Sequence, residues 1–195
     1  LDAAGQPRVR WWPVAYALQR LDDRRALPAL LTLLKDSHPY TRAFALKGLG
    51  SSGDRSLVPL ILPLVESPDR GVALQAVRAL ARLGGPGITP TLAKIILAPK
   101  ADPQVRLEAV EALGSAPGEG ATDILIDLLG DPGPPVRAAA IRSLAKLDAS
   151  GFITVLSGLD PDRQWGVRAA LASVLGTLSP EAGLPRLRAM LGDDE

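Results

Sequence analysis

The 195 residues are 47% hydrophobic and 4% aromatic, enough apolar material to bury a substantial core. Lys and Arg total 22 against 21 Asp and Glu, so no global charge excess marks a nucleic-acid or membrane-surface protein. Cysteine is absent and His38 is the only histidine, which excludes disulfides, thiolate metal sites and Cys nucleophiles together. No apolar run approaches the roughly 18–20 residues of a membrane span, so membrane insertion is not expected.

In chain order, a Val-Arg-like slot recurs at Arg10, Arg42, Ala73, Arg106, Arg137 and Arg168, with steps of 32, 31, 33, 31 and 31 residues. Six residues ahead of these slots, from the second onward, stand Asp36, Ser67, Lys100, Asp131 and Asp162, and Asp193 lies where a further repeat would begin. The full unit is clearest in Asp131-Pro-Gly-Pro-Pro-Val-Arg137 and the helix pattern that follows it. Turn chemistry and apolar spacing recur together, which is the signature of a solenoid. Leu1 to Arg10 aligns on Leu159 to Arg168, so the chain is expected to begin at a repeat's internal turn and to be a segment of a longer protein.

Each unit predicts two helices. After the slot, small or apolar residues such as Ala140, Ser143, Leu144 and Leu147 fall on one face, the small ones allowing close helix approach. Gly50, Gly84, Gly114 and Gly176 follow the pattern where a helix stop favours positive φ. The second helices are expected over 27–34, 57–65, 88–97, 121–129, 152–159 and 184–191. Pro28, Pro59, Pro90 and Pro185 near their starts fit a first turn, while Pro63 sits deeper and predicts a kink. Trp11-Trp12-Pro13 is expected to interrupt the first helix, and Ala98 to Asp102 absorbs the two extra residues of the 33-residue step.

The motifs around Asp102 to Gly114 and Asp131 to Leu144 resemble HEAT repeats, in particular the short bacterial form known from phycobilisome lyases, and the resemblance spans essentially the whole chain. It implies an all-α, right-handed α-solenoid of about six helix pairs, a single domain over 1–195 with joints near 36–42, 67–73, 100–106, 131–137 and 162–168. It also implies that the Val-Arg helices line the concave side, and that Asp36, Asp131 and Asp162 with Arg42, Arg106, Arg137 and Arg168 form a ladder between repeats. Ser67, Ala73 and Lys100 depart from that pattern, so the ladder should break there.

No reaction is legible. His38 lies in a Ser-His-Pro turn; the acidic pairs Asp22/Asp23, Asp160/Asp162 and Asp193 to Glu195 sit at turns that cap helices; Gly84-Gly-Pro-Gly87 lacks the strand and Lys-Ser/Thr of a phosphate loop. No catalytic residue, metal site or cofactor is expected. A binding face is more plausible: the fifth and ninth positions after the slot carry Lys47, Arg78, Arg82, Glu111, Arg142 and Lys146, a mainly basic stripe broken by acid. Trp11, Trp12 and Tyr16 cluster near the N-terminus and Trp165 precedes the last slot, either as partner contacts or as packing for an adjoining repeat. The expected function is a non-enzymatic scaffold that takes a protein or peptide, an acidic one fitting the stripe best, on its concave face. Two alternatives stay open: the scaffold or substrate-presenting part of a larger bacterial enzyme, similar to a phycobilin lyase subunit, and nucleic-acid binding, which would want an unbroken basic track.

Overall fold

Proline and aspartate set where the helices begin. The computed structural model describes residues 1–21, 23–116, 118–158 and 161–192, so Asp22, Leu159, Asp160 and Asp193 to Glu195 lie outside the described residues. All regular structure within them is helical: α1 (Trp12–Arg20) with α2 (Leu27–Leu33), α3 (Pro39–Ser51) with α4 (Val58–Ile61), α5 (Arg70–Leu83) with α6 (Ile88–Leu97), α7 (Pro103–Leu113) with α8 (Ala121–Asp127), α9 (Pro134–Leu147) with α10 (Ala149–Ser157), and α11 (Trp165–Leu175) with α12 (Pro180–Met190). The odd-numbered helices stack side by side in sequence, and α2, α4, α6 and α8 pack behind them against the odd helix of the following unit. The result is an α-solenoid, with one continuous core running from Ala15 to Leu175.

Proline at the first turn of α1, α3, α7 and α9 removes an N–H that has no intrahelical partner. Asp69 and Asp102 cap α5 and α7 by accepting from Val72 N and from Gln104 and Val105 N. Trp11-Trp12-Pro13 therefore starts α1 instead of interrupting it, because Pro13 falls where its ring costs nothing. Pro63 does disturb its helix: α4 gives way after Ile61 to a 3-10 segment over Leu62–Glu66. Pro185 lies inside α12, which begins five residues before it at Pro180, not at Leu184.

The helix-stop reading of glycine holds at Gly84, with φ 62°, and fails at the others. Gly114 and Gly176 have φ of −65° and −67°, and Gly50 is within α3. At Gly50 and Gly114 the cause is proximity. A Cβ on Gly50 would stand 2.6 Å from Ala79 Cα, and one on Gly114 2.7 Å from Ser143 Cα. Both partners are the small residue six places after the next unit's slot, so glycine and small residue meet across each of these joints and bring the helices into backbone contact.

Candidate interaction surface

Two sets of side chains cross from one unit to the next, one at the turns and one on the odd helices. At the turns, each ladder Asp does one invariant thing: Asp36, Asp131 and Asp162 accept the N–H two residues on, from His38, Gly133 and Gln164, all at 2.8 Å. Ser67 does the same more loosely to Asp69 N, at 3.3 Å. These local turns exist whether or not an arginine arrives.

The ion pairs are more selective. Arg106 Nη2 reaches Asp131 Oδ2 at 2.5 Å, and Arg137 grips Asp162 with Nε and Nη2 at 2.6 and 2.8 Å. Each arginine also donates to a backbone carbonyl, Arg106 to Ile96 and Arg137 to Asp131, and Arg168 likewise donates to Asp162 O. Burial pushes the Asp131 carboxyl up, but the Arg106 hydrogen bond, the Gly133 N–H and two guanidinium charges outweigh it and hold it below its usual 3.8. Asp162 is lowered chiefly by its hydrogen bond from Arg137.

Asp36 and Arg42 are not paired with each other. The ladder joins an arginine to the aspartate 25 residues later, and 25 residues after Arg42 stands Ser67, too short and uncharged to answer it. Across the next joint, Ala73 and Lys100 leave neither partner, and a cleft of about 420 Å³ lies between Ser67, Ala73, Lys94, Lys100 and Val105.

On the odd helices, side chains from successive units meet in rows. Arg78 Nη2 on α5 bonds Glu108 Oε2 on α7 at 2.6 Å, and Arg142 on α9 reaches back to Glu111 at 3.1 Å. One turn further along, Arg82 contacts Ser51 Oγ at 3.4 Å and Lys146 donates to Ser115 Oγ at 2.6 Å. The Glu108 carboxylate, by hydrogen bond first and charge second, raises the pKa of Arg78. The Lys47 ammonium on α3 has no hydrogen-bond or ion-pair partner among the described residues.

At the N-terminal end of these rows is an aromatic cluster. Trp12 stacks on Phe44 at 5.9 Å, Tyr16 meets the same ring edge-on at 5.3 Å, and Trp11 stands edge-on to Trp12 at 6.4 Å. Arg20 closes it, donating to Tyr16 Oη and lying 5.7 Å from the Tyr16 ring centre. Trp11 is 60% exposed and Trp12 and Tyr16 40% each. Phe44 is the member the sequence did not single out; the available signal was that Trp12 and Phe44 both stand two places after their slots. Trp165 is apart from the cluster, exposed as the first residue of α11.

Elsewhere, His38 stands 5.6 Å from the Tyr40 ring at the surface. Among the described residues no three His, Cys, Asp or Glu side chains gather as metal ligands, and no helix is long and apolar enough to cross a membrane.

Stacked helix pairs joined by short capped turns define a helical-repeat protein of the armadillo and HEAT class. HEAT repeats match over residues 27–101 and 89–163, and the PBS lyase HEAT-like repeat over 14–36. The chain belongs to the HEAT repeat family. No match is found among curated protein sequences. Among solved structures, it is similar to the complex of CpcE and CpcF of phycocyanin lyase from a Nostoc species, at 22% identity and TM-score 0.59 over 78% of this chain and 99% of that one. It is also similar to a designed armadillo repeat protein in complex with the peptide (KR)4, at 20% identity and TM-score 0.55 over 84% and 88%. Human deoxyhypusine hydroxylase in complex with glycerol aligns at 24% identity over 94% and 73%, with TM-score 0.46. At these identities the likeness concerns the fold.

Proposed function

We propose that the chain is a non-enzymatic scaffold that holds a protein or peptide segment on the concave face lined by α1, α3, α5, α7, α9 and α11, with residues 1–195 acting as one solenoid domain. The observation that carries this reading is the exposed cluster of Trp12 and Tyr16 on Phe44, set at the head of rows of charged side chains, in a chain with only 4% aromatics. Large rings held rigid beside cations supply contact area at low entropic cost. The peptide-bound armadillo design and the two-subunit lyase complex share this fold and support a role in protein association. A photo-crosslinker placed at Lys47 or Arg142 should capture a protein partner, whereas one placed on α2 or α6 should not. Capture from the even helices alone overturns the reading.

The structural likeness to the lyase complex favours a second reading, that the scaffold presents a substrate within a larger enzyme. Bilin transfer measured by absorbance tests it, and no spectral change with chromophore and acceptor present counts against it.

A further inference from the structure

The two halves of the concave rows differ in charge balance, and this identifies the kind of segment they take. Toward α7 and α9 both carboxylates are taken, Glu108 by Arg78 and Glu111 by Arg142, and the one further cation of these rows, Lys146, donates to Ser115 Oγ at 2.6 Å. On α1 and α3, and at Arg82 on α5, no carboxylate among the described residues answers the cations. Among the described residues the Arg20 guanidinium meets the Tyr16 side chain alone, the Lys47 ammonium has no partner, and Arg82 makes a long contact to a serine hydroxyl. Arg20 lies 5.7 Å from the Tyr16 ring centre, Lys47 stands three residues after Phe44 on α3, and Arg82 reaches Ser51 at the end of that same helix. Resting on the scaffold reading above, we infer that the α1–α3–α5 stretch is a docking site for an extended acidic peptide segment carrying an aromatic side chain.

Charge complementarity selects this occupant over its competitors. A basic segment would face Arg20, Lys47 and Arg82 directly, while the carboxylates Glu108 and Glu111 that would attract it are engaged with Arg78 and Arg142. A nucleic-acid strand could stack bases on the rings, but its phosphates would run from the cations straight into Glu108 and Glu111. An acidic segment meets three unneutralised cations, and its aromatic residue finds an edge or face among rings already arranged at 5.3 to 6.4 Å. Neighbouring helices lie about 8–10 Å apart, so three of them span about 16–20 Å. At about 3.3 Å per residue, the site accommodates about five or six extended residues.

The test uses the whole chain and fluorescence anisotropy with three labelled probes: a heptapeptide of Asp and Glu around a central Phe, its Lys and Arg counterpart, and octathymidylate. The acidic peptide should bind at least about tenfold more tightly than the other two and weaken as salt is raised. Lys47→Glu and Tyr16→Ala should each weaken it by about tenfold at unchanged helical circular dichroism, whereas Lys146→Glu should change it less than about twofold. Tyr16 is half exposed, so its variant reports on contact where Phe44→Ala could disturb packing. Equal binding of the basic peptide, or no binding of any probe, overturns the inference and leaves the scaffold reading to the crosslinking experiment. If Lys146→Glu weakens the acidic peptide as much as Lys47→Glu, the location is wrong and the scaffold stands. Preferred binding of octathymidylate overturns both.

Discussion

Arg137 holds both carboxylate oxygens of Asp162, 25 residues ahead, while the same guanidinium donates to the carbonyl of Asp131 behind it. One side chain thus closes its own turn and clamps the next unit. Its side chain is 15% exposed and that of Asp162 21%, between a surface pair and a buried one. Arg137→Ala is expected to destabilise the protein by about 1–2 kcal/mol, more than a solvent-exposed pair and less than a fully buried charge. Arg42→Ala, with no carboxylate opposite it, should stay within about 0.5 kcal/mol of the parent in urea denaturation. An equal loss from both would mean that the Asp162 contact contributes nothing.

The missing rung can be supplied. Ser67 occupies the aspartate slot facing Arg42 and already accepts Asp69 N at 3.3 Å. Ser67→Asp should tighten that turn and pair with Arg42, raising stability by up to about 1 kcal/mol. The double variant Ser67→Asp with Arg42→Ala should lose the ion-pair part of the gain and keep the turn part, which a double-mutant cycle separates.

The helix contacts are less forgiving than the ion pairs. Gly50→Ala or Gly114→Ala would drive a methyl into the backbone of Ala79 or Ser143, at a cost of about 1–3 kcal/mol. Gly166 in α11 meets nothing within 4 Å, so Gly166→Ala should stabilise by about 0.4–1 kcal/mol through the unfolded chain. Opposite signs in thermal melts are expected, and a neutral Gly50→Ala would contradict the close approach.

Acid should weaken the C-terminal units first. The carboxyls of Asp131 and Asp162 are held below their ordinary 3.8, so their contribution is complete above that value and is lost as pH falls through it toward the folded value. A variant with Asp131→Asn and Asp162→Asn should be less stable at neutral pH and lose less stability than the parent on going from about pH 5 to pH 3. Parallel pH profiles for the two proteins would contradict this.

The period, the capped turns and the paired helices were legible because each is a local backbone requirement that proline, aspartate and apolar spacing express directly. Gly50 was harder to read, since glycine near a helix end serves positive φ and close approach equally well. The distinguishing partner, Ala79, lies a full unit away. Phe44 was hidden for a related reason: one aromatic residue on an apolar helix resembles core, and only stacking against Trp12 brings it to the surface cluster. The pairing of Arg78 with Glu108 depends on register between α5 and α7, which composition does not encode. Arg42 shows the converse, a residue that fits the ladder motif but whose partner position holds serine.

The placement of the three tryptophans makes the protein's own emission a spatial gauge. Trp11 and Trp12 light the first unit and Trp165 the last, with none between. Intrinsic fluorescence therefore follows the two ends while the middle stays dark. In a Trp165→Phe background the tryptophan signal belongs to Trp11 and Trp12 alone, so loosening of the N-terminal cluster can be timed separately from collapse of the clamped C-terminal half.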